Sequence, residues 1–282
     1  ACRRDGYRLF IEEIRRNCRF VGALRIDHVM RFKRLFWILS GQSAAEGVYV
    51  ENNAHDLLAL TNLESERNRT LIIGEDLGTV PADFRQKLQA CRMFSYRVFL
   101  FESGKDGRLY PPEHYPAESL ATLTTHDMCP MAGFWTFEDL RTRRRLDLIS
   151  SEVEMERGVG ERKWSRRRII ERLVESGFLD PGYLTNPEEV GEFTGELHNG
   201  VIGFLLSTDS ALAVVSIEDL LKGTTQQNVP GVTEGYLNWS TKMPMTIEQL
   251  RTDSFAHGCA GMFRAWVEKT HRLTQDRASS GA

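Results

Sequence analysis

The segment LIIGEDLGTVP, residues 71–81, combines a short apolar run with two adjacent acids and a turn. The apolar residues at 71–73 favour a β-strand, and Pro81 precedes a segment at 82–91 with the apolar spacing of a helix. The apolar composition predicts a buried strand, yet the strand ends on the carboxylates of Glu75 and Asp76. The two acids are therefore candidates either for a site at the carboxyl end of the strand or for the cap of the next helix.

The same alternation of helix and short strand recurs along the chain. Helices are predicted at residues 7–20, 55–66, 82–91 and 255–274, with a long helical stretch at 138–206. Short extended runs are predicted at residues 21–27, 71–76, 94–101, 120–127 and 211–219. Short β-rich runs that alternate with helices indicate an α/β fold, in which a parallel sheet is connected by helical crossovers.

A parallel sheet of this kind belongs either to a doubly wound fold or to part of a (β/α)8 barrel. Neither GxGxxG nor GxxxxGK[ST] occurs, so the usual nucleotide-binding loops of a doubly wound sheet are missing. Four of the five predicted strands end in acids, which are Asp27, Glu75 with Asp76, Glu102 and Asp127. One such acid is often only the N-cap of the next helix. Four of them favour the barrel, because its chemistry lies at the carboxyl ends of the strands.

Composition narrows the class of protein and of partner. The chain has 282 residues, of which 41% are hydrophobic and 27% charged, and its formal net charge is −3. This balance disfavours nucleic acid or an anionic membrane as a partner. The cysteines are scattered singly, which argues against a disulfide framework and against a zinc site. No apolar run reaches about 18 residues. We therefore predict a cytoplasmic protein with no nucleic-acid or membrane partner.

Two chemistries would require several acids at one face. A metal-dependent hydrolase would combine them with His28, His55 and His126, but no HxH or HExxH spacing is present, and His55 reads as a surface residue of a helix. A glycosidase-type enzyme would use one carboxylate as nucleophile and a second, protonated, as general acid. It also requires a cation beside the nucleophile, and Arg25 lies two residues before Asp27 on the same strand face.

Aromatic residues follow two of the acidic strand ends. Sugar-binding sites use aromatic rings for stacking, and Phe36, Trp37, Phe134 and Trp135 lie just downstream of those strand ends. Large aromatic side chains are also the usual material of a hydrophobic core. For these four residues we favour the core.

Four segments in order resemble the motifs of the 4-alpha-glucanotransferases, glycoside hydrolase family 77 of the α-amylase clan. They are RIDHVMRFKRLFWI at 25–38, GEDLGTVP at 74–81, TTHDMCPMAGFW at 124–135 and QNVPGVTEGYLNW at 227–239. The resemblance implies a (β/α)8 TIM barrel of which residues 1–282 supply the C-terminal portion, about strands 4 to 8. The N-terminus has no initiator methionine, and we expect the first strands and an inserted subdomain to lie in an upstream part of the natural chain.

The resemblance also implies a role for each matched residue. Asp27 would be the nucleophile that forms a β-glucosyl-enzyme intermediate, and Glu75 would be the general acid and base. Asp127 would hold the 2- and 3-hydroxyls of the sugar. Arg25, His126 and Asn228 would bind the substrate, and Asp76 would be a supporting or capping acid. Retention predicts that the carboxyl groups of Asp27 and Glu75 are about 5–5.5 Å apart.

The implied activity is transfer of α-1,4-glucan segments between maltooligosaccharides or glucose, with no metal and no cofactor. Hydrolases of the same clan share the three acids, so the transferase prediction depends on the resemblance alone. The alternatives are an inactive glucan-binding remnant or truncated fragment, an α-glucan hydrolase and a metal-dependent TIM-barrel hydrolase. Arg31 and Ser240 stand where the family commonly has glycine and arginine, which affects the acceptor site and leaves the three acids in place.

Overall fold

The computed structural model describes residues 2–78 and 80–272. The strands in this part of the chain are β1 (Ala23–Ile26), β2 (Arg34–Trp37), β3 (Val48–Glu51), β4 (Leu71–Gly74), β5 (Phe94–Val98), β6 (Ser119–Thr122) and β7 (Leu212–Val214). The α-helices are α1 (Arg8–Cys18), α2 (Ala54–Asn68), α3 (Ala82–Ala90), α4 (Met131–Trp135), α5 (Glu138–Arg145), α6 (Glu152–Glu175), α7 (Gly195–Leu206), α8 (Ile217–Leu220), α9 (Ile247–Leu250) and α10 (Ser254–Lys269).

The described residues divide into two compact units. The first unit runs from the N-terminus to Arg97 and includes residues 116–120 and 210–212, and the second contains the remaining residues. Within the described residues, no helix combines the length and the apolar character that crossing a bilayer would require.

A five-stranded sheet, to which β6 and β7 contribute their first residues, organises the first unit. Its order is β1-β4-β5-β6-β7, and the β1–β4 and β4–β5 pairings are parallel. The order follows the chain, unlike that of a doubly wound sheet, whose order reverses at a switch point. Helix α2 precedes β4 and helix α3 precedes β5, so the predicted helical crossovers are present.

The core of the first unit lies between this sheet and α1, α2 and α3. Ile26, Phe32, Ile72 and Phe84 belong to one buried apolar cluster. Gly74, the last residue of β4, allows a close approach inside this core, because a Cβ atom there would lie 3.2 Å from both Cγ atoms of Val29. The end of β4 therefore packs directly against the segment that follows Asp27.

The second unit is mainly helical. Helix α7 is mostly apolar and mostly buried, and its Phe204 packs in a core with Phe99, Trp135 and Ile170. The N-caps of α6 and α7 are Ser151 and Thr194, whose hydroxyl groups accept hydrogen bonds from backbone N–H groups of the first turn. These caps divide the stretch at 138–206, predicted as one long helical region, into separate helices.

A two-stranded antiparallel ribbon formed by β2 and β3 was not predicted. Leu35 pairs with Val50 and Phe36 pairs with Tyr49. The prediction that Phe36 and Trp37 are core residues is wrong, because both are exposed, Trp37 by 56%. For Trp135 the core prediction is confirmed, since its side chain is fully buried, and Phe134 is partly buried against the same cluster.

Several predicted strands are shorter than expected. The strand at 94–101 ends at Val98 and continues as a 3-10 helix, Phe99–Phe101, so Glu102 follows that helix and not a strand. The strand at 120–127 ends at Thr122, which places Asp127 in a loop. The strand at 211–219 ends at Val214, and Asp219 lies in α8. The last helix ends at Lys269, and residues 273 and 274 of its predicted range lie outside the described residues.

Candidate active site

The first unit brings Asp27 and Glu75 together through strand register. Ile26 and Gly74 are partners at the ends of β1 and β4, so the next residue of each strand lies at the same sheet edge. The backbone continues this pairing, because the Glu75 N–H donates to the Ile26 carbonyl oxygen at 2.9 Å. One carboxylate oxygen of Asp27, one of Glu75 and a ring nitrogen of His28 all lie within 4.8 Å of one another.

Asp27 lies between two basic side chains. Nη1 of Arg25 is 2.9 Å from Oδ1 of Asp27, as predicted from their spacing on one strand face, and Nδ1 of His28 is 3.1 Å from Oδ2. The Arg25 guanidinium also lies over the ring of Tyr96, with its Cζ 5.0 Å from the ring centroid. Half of the Asp27 side chain remains exposed, so the carboxylate is held and still accessible.

Glu75 is held much more tightly than Asp27. Its Oε2 accepts a hydrogen bond from the backbone N–H of His28 at 2.7 Å, and its Oε1 accepts one from the backbone N–H of Leu77 at 2.6 Å. The residue is only 4% exposed. Gly78 has a φ of +82°, which allows the chain to turn away directly after this carboxylate. A buried strand thus delivers a fixed carboxyl group to the sheet edge, as its sequence predicts.

Asp76 is a buried anchor with basic partners. Its Oδ1 accepts from the backbone N–H of Tyr96 at 3.0 Å, and its Oδ2 lies 3.3 Å from Nε of Arg85 and 3.5 Å from Nη2 of Arg97. These contacts join the end of β4 to β5 and α3. The supporting role of Asp76 stays a prediction.

The second unit brings the other predicted site residues together around Asp127. Oδ1 of Asp127 accepts a hydrogen bond from Nδ2 of Asn228 at 2.5 Å, and Nε2 of His126 lies 3.4 Å from Oδ2. The backbone carbonyl oxygen of Asp127 accepts from Nε2 of Gln226 at 2.9 Å. The predicted trio Asp127, His126 and Asn228 is therefore a contact group, and Gln226 is an additional member.

An exposed tryptophan accompanies this group. The ring centroids of Trp239 and His126 are 5.2 Å apart. Trp239 has a positive φ of 60°, which is unusual for a residue with a side chain. Asn238 fixes the preceding backbone, because its Oδ1 accepts from the Val229 N–H and its Nδ2 donates to the Val232 carbonyl oxygen.

The sequence prediction missed Asp219 as a member of this region. The residue is 1% exposed, and its carboxylate accepts hydrogen bonds from the hydroxyl of Thr124, the backbone N–H of Met131 and the hydroxyl of Ser216. Burial raises the pKa of the Asp219 carboxyl. A local signal was present, since Ser216 and Asp219 have the spacing of a helix N-cap and its third helical residue.

Among the described residues, Asp27, His28 and Glu75 form the group that could hold a metal ion. The donors fit such an ion poorly. Arg25 already places a positive charge 2.9 Å from Asp27, and both Glu75 oxygens already accept backbone N–H groups. His55 lies 91% exposed on α2, as predicted for a surface residue. The arrangement is better matched to chemistry with two paired carboxyl groups.

Comparisons with known proteins agree with one another. The sequence profile of the family described as 4-alpha-glucanotransferase matches residues 1–247. The 4-alpha-glucanotransferase of Haemophilus influenzae is 34% identical over 238 residues, which cover 84% of this chain and 34% of that protein. The 4-alpha-glucanotransferase of Mycobacterium tuberculosis is 30% identical over 269 residues, which cover 92% of this chain and 36% of that protein. The chain thus spans about a third of the length of these relatives.

Solved structures agree with the fold. The crystal structure of amylomaltase from Corynebacterium glutamicum superposes with a TM-score of 0.84 at 28% identity, over 92% of this chain and 38% of that one. Amylomaltase from Streptococcus agalactiae, solved in complex with acarbose, superposes with a TM-score of 0.64 at 20% identity, over 94% of this chain and 45% of that one. The predicted fold class, part of a (β/α)8 TIM barrel, is confirmed.

Proposed function

Because the chain belongs to the 4-alpha-glucanotransferase family, glycoside hydrolase family 77, we propose that it carries the catalytic residues of a retaining 4-alpha-glucanotransferase. The reaction transfers α-1,4-glucan segments between maltooligosaccharides or to glucose. We also propose that residues 1–282 form the C-terminal portion of the catalytic barrel, since the chain spans about a third of its relatives.

The pair Asp27 and Glu75 carries this proposal. Retaining enzymes place their two carboxyl groups about 5–5.5 Å apart, whereas inverting enzymes leave about 6.5–9.5 Å for a water molecule. One oxygen of Asp27 and one of Glu75 lie within 4.8 Å of each other, which supports the shorter of the two separations. The accessible carboxylate beside Arg25 suits a nucleophile, and the buried one suits a proton donor.

In the first half of the proposed reaction, Asp27 attacks the anomeric carbon of the donor glucan and forms a β-glucosyl ester. Glu75 gives its proton to the glycosidic oxygen as the bond to the leaving sugar breaks. Each Glu75 oxygen uses one lone pair to accept a backbone N–H, so a second lone pair is available for that proton. The backbone contacts hold the carboxyl group in position throughout.

In the second half, the Glu75 carboxylate removes a proton from an acceptor hydroxyl, which attacks the anomeric carbon and releases Asp27. Asp127 binds the 2- and 3-hydroxyls of the sugar and stabilises the oxocarbenium-like transition state. The role of Asp127 comes from the family motif, and its support in this chain is the contact group with His126 and Asn228. Transfer exceeds hydrolysis when a sugar hydroxyl reaches the intermediate before water does.

We further propose a cytoplasmic location. Cys18, Cys91, Cys129 and Cys259 are free thiols in the structure. Disulfides are common in secreted proteins and rare in the cytosol, which supports this location.

Product analysis with maltotriose tests the proposed function. The purified chain is incubated with maltotriose, with and without EDTA, beside Asp27→Asn as the control. Glucose together with maltopentaose and longer products, absent in the control and unchanged by EDTA, is the expected result. Glucose and maltose without longer products would indicate a hydrolase, and loss of products with EDTA would indicate a metal-dependent enzyme. No products at all would show that residues 1–282 do not form an active catalyst, contrary to the proposed function.

A further inference from the structure

One buried carboxylate, that of Asp219, fastens both ends of the loop that carries Asp127. At the start of the loop, the hydroxyl of Thr124 donates to Oδ2 of Asp219 at 2.5 Å. At its end, the backbone N–H of Met131 donates to Oδ1 at 2.6 Å. Asp127 lies between these two attachment points, and its exposed side chain contacts Asn228 and His126.

The segment after Asp219 holds the middle of the same loop. The Cys129 thiol contacts the carbonyl oxygen of Thr224 at 3.1 Å. Gln226 donates to the Asp127 carbonyl oxygen, and Asn228 donates to the Asp127 carboxylate. Helix α8 therefore anchors the loop at its ends through Asp219 and begins the segment that fixes its centre.

Asp219 is itself fixed within α8. Its backbone N–H donates to the hydroxyl of Ser216, and that hydroxyl donates to Oδ2 at 3.0 Å. The backbone carbonyl oxygen of Asp219 accepts from Nε2 of His198 at 3.1 Å, inside the second unit. The anchor is thus joined to α7, a largely buried helix of that unit.

A buried carboxylate is an unfavourable choice if the side chain serves only to fill space in the core. Removing a charge from water on burial opposes folding, and an apolar residue of similar size often serves stability equally well. Three donors directed at one buried carboxylate do what an apolar side chain cannot, because they set the positions of the groups that donate. The geometry therefore suggests a positional role for this side chain in addition to a stabilising one.

We propose that Asp219 is the positioning residue for Asp127, holding the loop at 124–131 so that the Asp127 carboxylate meets the sugar hydroxyls in the correct orientation. The part of this proposal that concerns sugar rests on the proposed function. The part that concerns loop position does not.

Three variants and one matched control test the proposal. Asp219→Asn removes one acceptor site and turns an amide toward donors, and Thr124→Val removes one donor without changing the shape of the side chain. Thr124→Ser keeps the donor and serves as the conservative rescue. Thr208→Val is the control, because the buried Thr208 hydroxyl also makes a hydrogen bond within the second unit, to the Leu205 carbonyl oxygen, away from this loop.

Amide hydrogen exchange is the first readout, because it needs no activity. We expect exchange in the peptide at 124–131 to rise about ten-fold in Asp219→Asn and several-fold in Thr124→Val, while the amides of α7 stay as in the wild type. Thr124→Ser and Thr208→Val should leave the peptide at 124–131 unchanged. Exchange that stays at the wild-type rate in Asp219→Asn, or rises equally in α7, would overturn the proposal.

Transfer kinetics on maltotriose are the second readout. We expect kcat per folded molecule to fall about 10- to 100-fold in Asp219→Asn, with KM changed less than about three-fold, because a displaced Asp127 mainly weakens binding of the transition state. Local loosening with an unchanged kcat would refute the positioning role. If the wild-type chain forms no product, the proposed function fails, and the exchange experiment still decides whether Asp219 positions the loop.

Discussion

Nη1 of Arg25 lies 2.9 Å from Oδ1 of Asp27. The two residues are two positions apart at the end of β1, so their side chains leave the same face of the strand. A guanidinium at this distance stabilises negative charge on the carboxylate and leaves its second oxygen to other partners.

Replacing Arg25 should weaken the proposed nucleophile without unfolding the first unit. Arg25→Gln removes the charge beside Asp27, and we expect kcat/KM for maltotriose transfer to fall about 10- to 100-fold. Arg25→Lys keeps the charge and loses the planar fork, so its activity should lie between those of Arg25→Gln and the wild type. Equal activity of all three proteins would show that the ion pair does not serve the reaction.

Replacing Glu75 should block the steps that need proton transfer and spare the attack of Asp27 on the anomeric carbon. With maltotriose, Glu75→Gln should lose at least about 100-fold in rate. With α-glucosyl fluoride, whose leaving group needs little protonation, the same variant should still attach glucose to Asp27, as detected by mass spectrometry of the peptide at 23–33. Asp27→Asn should attach none. Full loss of labelling in Glu75→Gln would contradict the division of roles between the two carboxyl groups.

The hydrogen bond from Asn228 to Asp127 should contribute to substrate binding. Asn228→Ala removes a donor 2.5 Å from Oδ1, and we expect kcat/KM to fall about ten-fold. Asn228→Asp should be more damaging, by about 100-fold, because it places a second negative charge against Asp127. Melting curves of both variants serve as the control for folding. A milder effect of the Asp variant would rule out the Asn228 donor as the reason for the loss.

Protonation of a buried histidine should limit stability in acid. Burial lowers the pKa of His198 to about 4, and its Nε2 donates to the Asp219 carbonyl oxygen. The unfolded chain, with an ordinary histidine pKa of about 6.5, takes up the proton first as the pH falls. The free energy of unfolding should therefore decrease between about pH 6.5 and pH 4, by up to about 3 kcal/mol.

Urea denaturation of the wild type and of His198→Gln at several pH values measures this loss. The Gln side chain keeps an N–H donor and does not titrate, so its free energy of unfolding should vary less over the same range. Parallel pH curves for the two proteins would exclude His198 as the cause.

The strands that carry Asp27 and Glu75 were predictable because local and long-range signals agree there. Each is a short apolar run that ends in an acid, and parallel pairing then brings the two acids to one edge. Which oxygen accepts which backbone N–H could not be predicted, since the contacts of Glu75 with His28 and Leu77 depend on the turn after each strand.

The ribbon of β2 and β3 could not be predicted, and the reason is physical. The apolar run around Phe36 and Trp37 has the composition of a core segment, and composition does not reveal that its partner strand leaves both faces exposed. Asp219 was not predicted as a residue of this region because the apolar run before it was assigned to a strand. The capping residue Ser216 ends that run and starts a helix, and a local capping signal is weaker in a sequence than apolar periodicity.

The side chain of Trp239 is 64% exposed and lies beside His126, whereas that of Trp135 is fully buried. Indole emission shifts to shorter wavelength when water leaves the ring. The chain therefore contains a natural optical probe next to Asp127. A blue shift on addition of oligosaccharide that is lost in Trp239→Phe would report occupancy of this region in real time, without a label and without turnover.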